Sequence, residues 1–140
     1  VTDARPAGLL DLADARFVSL TTYRRSGEAV ATPVWVAAVD GGAGGDALVV
    51  TTGASSGKVK RLRNDPRVSL RPCSRRGAVE PDAPTATGVA EIIDDPATCV
   101  ACTAAISRKY GVEFRIVMLL EKLFSRGSRE RVILRITPAD

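Results

Sequence analysis

The chain has no histidine anywhere in its 140 residues. That removes Ser-His-Asp and Cys-His triads, most zinc centres, and the usual general base near neutral pH. Any chemistry must then be carried by a bound cofactor or by other side chains. Aromatic residues make up only 4%, and none falls between Trp35 and Tyr110. Nucleic-acid surfaces need rings among their charges for base stacking, so a nucleic-acid partner is not expected. No apolar run approaches the roughly 20 residues of a membrane-spanning helix, and no stretch reads as a signal peptide, so no membrane partner is expected either. Three cysteines, an odd number without secretory context, suggest a reducing, cytoplasmic setting. A C-x-x-C pair without histidine is a poor metal site, and none is expected. Repeats and heptads are also missing.

What is present is ordinary for a globular protein. Hydrophobic residues are 45% and charged residues 26%. A chain of this length reads as one domain, 1–140, able to bury roughly two-thirds of the surface exposed on unfolding. The net charge of +4 hides an asymmetry. Between Ser55 and Arg76 lie Lys58, Lys60, Arg61, Arg63, Arg67, Arg71, Arg75 and Arg76 against Asp65 alone, a local net of +7 on a remainder of −3. A basic segment on a mildly acidic body points to an anionic partner held at one place.

The pattern along the chain is mostly β. LLDLADA (9–15) has the spacing of a short helix, and Phe17–Tyr23 alternates as a half-buried strand. A turn at Arg25–Glu28 leads into a second strand over Ala29–Val39, giving a hairpin. Pro33 inside that strand predicts an edge position or a bulge, because proline cannot donate to the ladder. Gly41–Gly45 reads as a flexible loop tip, and Asp46–Thr52 as the third strand. A short basic helix follows, then strands over Arg67–Cys73 and Thr85–Asp94. Asp95 as N-cap with Pro96 behind it predicts a helix to about Tyr110 that stops at Gly111. A second helix over Glu113–Phe124 and a final strand over Glu130–Ile136 complete a small antiparallel barrel with helical insertions.

The stretch LVVTTGASSGKVKRLRNDPRVSL (48–70) carries the clearest chemistry. A β-branched strand ends in Thr51-Thr52 and gives way to Ser55, Ser56, Gly57 and Lys58 at a helix N-terminus. That brings hydroxyls, backbone N–H groups and an ammonium together, a setting that stabilises a phosphate. Lys58 and Arg61 share one helical face, while Val59 and Leu62 share the other. A nucleotide triphosphate loop is excluded. Only three residues separate Gly53 from Gly57, where four are needed, and Val59 follows the lysine where a magnesium-binding hydroxyl belongs. In isolation the same charges could form a solvated face. Cys99 and Cys102, at C-x-x-C spacing near a helix start, could be a redox dithiol, but two small apolar residues on an Ala-rich core helix account for them as well. Cys73 reads as buried in its strand. Trp35 and Tyr110 fit a core or a site wall equally.

The segments FVSLTTYRRSGEAVATPVWV and LVVTTGASSGKVKRLRNDPRVSL resemble the pyridoxamine 5'-phosphate oxidase-like split-barrel superfamily, in particular its deazaflavin (coenzyme F420)-dependent oxidoreductase branch. GVAEIIDD, RKYG and the final strand with ITP extend the resemblance loosely into the second half. It implies a mainly β, six-stranded split β-barrel of the FMN-binding type, paired as a homodimer with cofactor sites at the subunit interface. It places the cofactor phosphate on Thr51, Thr52, Ser56 and Lys58, with Ser55 and Gly57 in the same loop. Lys60 and Arg61 would continue the positive surface, and the ring system would lie along Thr32, Pro33, Val34 and Trp35.

Two departures bear on chemistry. True pyridoxamine phosphate oxidases carry Arg and Lys on the second strand where this chain has Thr32 and Ala37, and their C-terminal His and Arg pattern is not visible. The expected activity is therefore hydride transfer from reduced coenzyme F420 to an unsaturated organic acceptor, with FMN as the alternative cofactor. A barrel that sequesters a flavin, deazaflavin or haem without turnover is the rival. No catalytic side chain is assigned; the proton is expected from water or a nearby Tyr or Ser hydroxyl.

Overall fold

The computed structural model describes residues 9–39, 47–54, 56–124 and 131–138. A single antiparallel sheet runs through them: β1 (Val18–Tyr23), β2 (Ala29–Val34), β3 (Ala37–Val39), β4 (Ala47–Gly53), β5 (Arg67–Pro72), β6 (Ala86–Ile93) and β7 (Arg131–Pro138). Their spatial order is β2-β1-β5-β6-β7-β4-β3. β2 and β3 are thus opposite edges of the sheet, yet only Trp35 and Val36 separate them in sequence. A connection that short spans about 10 Å, so the sheet must curl until its edges nearly meet. The result is a split barrel. β2 and β3 occupy a single strand position, broken in the middle, which leaves the six positions expected of it.

The continuous second strand expected over Ala29–Val39 is therefore corrected to two strands that pair with different neighbours. β2 pairs with β1, and β3 with β4. Pro33 does lie on an edge strand, where a missing N–H costs no ladder bond. Two further readings need adjusting. Residues 9–15 give only a 3-10 turn at Leu9–Leu12. Cys73 lies just past β5 and is only partly buried. The Gly41–Gly45 loop tip lies outside the described residues.

Alternation along the buried strands serves two cores. Leu48 and Val50 of β4, with Leu134 and Ile136 of β7, point into the barrel beside Leu20, Leu70 and Val36. Val49 and Ile133 point outward against Ile106, Tyr110 and Phe114. Those three side chains belong to α2 (Pro96–Tyr110) and α3 (Val112–Phe124), which cover the outer face. This is why β4 reads as an unbroken apolar run: both of its faces are buried. Asp95 caps α2, its carboxylate accepting from the Thr98 N–H at 2.9 Å, and Gly111 ends it at φ 59°. Gly88 is required where β6 crosses β7, since a Cβ there would stand 2.7 Å from the Thr137 carbonyl oxygen. No helix among the described residues is long and apolar enough to cross a membrane.

Candidate functional site

A cleft of about 360 Å³ opens where the barrel is split. One wall is Phe17 with Pro33, Val34 and Trp35; the other is Thr51, Thr52 and Gly53 with Lys58 and Arg131. Val117 and Met118 of α3 border it, and Arg75 reaches in from the turn after β5. Six residues expected from sequence are thus brought together: Pro33, Val34, Trp35, Thr51, Thr52 and Lys58.

The charged wall is built mostly from one strand–helix junction, with Arg131 added from β7. Helix α1 (Gly57–Asn64) starts immediately after β4, and Val59 and Leu62 are its buried anchors. Ser56 is the N-cap: its Oγ accepts from the Val59 N–H at 3.4 Å and from Thr52 Oγ1 at 3.3 Å. These bonds lock Lys58 beside the end of β4. Burial pushes the Lys58 ammonium below its ordinary pKa, and the like charges of Arg61 and Arg131 push it the same way. Arg131 in turn donates from Nε to Thr51 Oγ1 at 3.1 Å. Two cations and two hydroxyls therefore converge on the open backbone at Gly53, where nothing lies within 4 Å of a Cβ position. Such a donor set fits a phosphate: an anion would relieve the repulsion and favour the charged form of Lys58.

The apolar wall is built at long range. The Trp35 indole stacks on Tyr110 of α2 with ring centres 4.8 Å apart and planes inclined at 16°. Phe114 of α3 tilts against it at 5.9 Å. A flat, backed indole beside Pro33, Val34 and Met118 suits a planar ring system.

The other expected residues do not line this cleft. Arg61 turns towards β1, donating from Nε to Thr22 Oγ1 at 2.6 Å. Its guanidinium lies across Gly57, where a Cβ would meet Nη1 at 2.8 Å. Lys60 is exposed on the far face of α1. Ser56 is occupied as the cap. Thr32 sits out of the cleft on β2, its Oγ1 buried without a hydrogen-bond partner. Ser55 lies outside the described residues. Ala37 is packed in the outer core beneath α2. Its small size follows from that packing, so its difference from the oxidase lysine carries no weight on ligand choice.

Sequence reasoning missed Phe17, Gly53, Arg75, Val117, Met118 and Arg131. Arg131 had no local signal, because its relation to Thr51 depends on the pairing of β4 with β7. Helix α3 did offer one, in having more apolar residues than one face can bury. Phe114 and Met118 pack inward, while Ile116, Leu119 and Leu120 stay exposed. Arg75 stacks over Phe17 at 5.6 Å and donates to Glu113 at 3.2 Å. Of the proton sources expected, water or a Tyr or Ser hydroxyl, the Tyr110 hydroxyl beside the cleft is engaged elsewhere. Tyr110 is buried, which raises its pKa, and its hydroxyl is bonded to backbone. Cys102 is buried and Cys99 donates to the Ile93 carbonyl at 3.4 Å, both within the outer core. Among the described residues no cluster of acids and cysteines is placed to hold a metal.

Known structures share this architecture. A conserved hypothetical protein, Rv2991, of Mycobacterium tuberculosis superposes with a TM-score of 0.65 at 24% identity, over 93% of this chain and 78% of the other. An F420 reductase gives 0.59 at 21% identity, over 96% of each chain. The heme storage protein HutZ of Vibrio cholerae gives 0.60 at 14% identity, over 90% and 83%. At these identities the likeness is one of fold. No curated protein matches the chain in sequence. The family described as Pyridoxamine 5'-phosphate oxidase matches residues 9–140, nearly the whole chain. With its split barrel and its phosphate-suited cleft, the chain belongs to the pyridoxamine 5'-phosphate oxidase family.

Proposed function

We propose that the cleft binds a phosphorylated flavin-type cofactor, coenzyme F420 in preference to FMN, and that the protein reduces an unsaturated organic acceptor with it. The observation that carries this reading is the half-buried Lys58, crowded by like charges and flanked by Thr51, Thr52 and Arg131. These residues would hold the phosphate, and Pro33, Val34, Trp35 and Met118 would hold the ring system. Bound in reduced form, the cofactor supplies the hydride, which is why the lack of histidine is no obstacle. The protein contributes binding, orientation and exclusion of water. Thr51 and Thr52 are the only hydroxyl side chains bordering the cleft among the described residues, and in this reading both stand in the phosphate wall, beside Arg131 and Ser56. Water is therefore the proton source in this reading.

The preference for F420 rests on the surplus of cations around the cleft, with Arg75 at its rim and the exposed Lys60 available to a long polyanionic tail, while Arg61, bonded to Thr22, adds only its charge nearby. Similarity to an F420 reductase supports it. Ser55 and Gly57, which flank Ser56 in sequence, would complete the phosphate-binding stretch, and Ser56 acts as the cap that orients it. Thr32, whose Oγ1 is buried outside the cleft, takes no part in this reading. We also propose a homodimer that places the cleft at the subunit interface. The row Val112, Ile116, Leu119 and Leu120 on α3, all exposed, supports it, since apolar rows of this kind are usually covered.

Titration with F420 and with FMN, followed by fluorescence, tests the reading. Lys58→Ala should weaken binding by more than about tenfold, as loss of a charge-assisted contact does. Unchanged affinity would sink the assignment. A second reading, binding without turnover, is favoured by the fold shared with a heme storage protein. Tight binding with no reduction of any enone-type acceptor would select it.

A further inference from the structure

Trp35 reaches the cleft only because the edge strand breaks after Val34. Such a break strips backbone groups of their ladder partners, and Val36 is fully buried. Two consecutive residues at the end of α2 take over. The Val36 N–H donates to Tyr110 Oη at 3.1 Å, and the Val36 carbonyl accepts from Lys109 Nζ at 2.6 Å. The same ammonium donates to the carbonyls of Ala13 at 2.6 Å and Ala15 at 2.7 Å. Tyr110 Oη also lies 2.8 Å from the Arg16 carbonyl. All three ammonium protons are thus spent on backbone, in a cage that joins the N-terminal segment to the strand break. Burial lowers the Lys109 pKa, as expected of a charge drawn under the surface. Directly below the shared hydroxyl, the Tyr110 ring stacks on the Trp35 indole.

We propose that Lys109 and Tyr110 are positioning residues for the cleft: by capping the strand break they fix the plane of the Trp35 indole that forms its apolar wall. The part concerning cofactor affinity rests on the reading given above; the part concerning Trp35 does not.

Trp35 is the single tryptophan of the chain, so its emission and its quenching by acrylamide report the wall directly in the ligand-free protein. In Lys109→Met the quenching constant should rise about threefold. Affinity for F420 or FMN should fall about tenfold, while affinity for inorganic phosphate stays at the parent value because the Lys58 wall is untouched. Lys109→Arg should fail like Met, since a planar guanidinium does not match three carbonyls set at ammonium distances. Restoration by Arg would mean that charge alone matters, and would overturn the proposal. Tyr110→Phe keeps the stacked ring and loses only the hydroxyl, so smaller changes in the same direction are expected. It decides the matter if Lys109→Met does not fold. A pair that merely stabilises would lower the melting midpoint yet leave Trp35 quenching and the ratio of cofactor to phosphate affinity unmoved. That result overturns the proposal. If the parent protein binds neither F420 nor FMN, the cofactor reading fails, and quenching alone still decides the clamp.

Discussion

The two walls of the cleft are made in opposite ways. The charged wall is mostly local: Thr51, Thr52, the Ser56 cap and Lys58 lie within eight consecutive residues on one strand–helix junction, and Arg131 alone joins them from a distant strand. The apolar wall is assembled from distant segments, with Trp35 backed by Tyr110 and Phe114 and its strand break served by Lys109. A wall built from adjacent residues tolerates changes elsewhere in the fold. One built from contacts across more than 70 residues fails when any contributor moves. The charged wall should therefore govern affinity with little effect on stability, and the apolar wall should govern both.

Lys58→Ala is the strongest way to break that contrast. It should cost more than about tenfold in affinity for the cofactor and for inorganic phosphate, and leave the melting temperature near the parent value, because a desolvated ammonium contributes little to folding. A large loss of stability would show that the charged wall is structural. Trp35→Leu should reduce cofactor affinity roughly five- to tenfold through loss of stacked area, with phosphate affinity unchanged and a lowered melting temperature from the vacated Tyr110 face. Calorimetric titration with both ligands separates the two variants.

A pH series sharpens the comparison. The Lys58 pKa is lowered in the folded, ligand-free protein, so the ammonium is lost at a pH below its ordinary value. Phosphate affinity should fall as pH rises through that lowered value, and Lys58→Ala should abolish this part of the dependence. The sign for stability is the reverse. Between the folded and unfolded pKa values the unfolded chain holds more protons, so this group makes the ligand-free protein more stable as pH rises. Denaturation at several alkaline pH values checks it against the variant. The smallest effect is expected from Ser56→Ala. Loss of the N-cap should cost about 1 kcal/mol of stability and weaken phosphate binding only severalfold, since Lys58 remains.

The difference between the walls is also the difference between what was legible and what was not. Lys58 and the buried pair Val59 and Leu62 could be read from spacing alone, because helix periodicity acts within a few residues, whereas Ser56, expected on the phosphate, serves as the helix cap. The start of α2 at Asp95-Pro96 and its end at Gly111 were equally plain. The break at Trp35–Val36 was not. AVATPVWVAAV is apolar and β-branched enough for one strand, and nothing in it shows that its halves pair with opposite edges of the sheet. Arg131 was invisible for the same reason: its place beside Thr51 is set by strand register.

The sequence by itself determined a β-rich chain with a phosphate-suited strand–helix junction and no histidine chemistry, because composition, alternation and caps are local properties. Only the tertiary structure decided that Lys58 faces the cleft while Arg61 turns away to Thr22, that Ala37 packs beneath α2, and that the Tyr110 hydroxyl is bonded to backbone while its ring backs Trp35. Those outcomes depend on which side chains meet across the barrel, and contacts between distant residues follow from closure of the sheet, not from the order of residues along it.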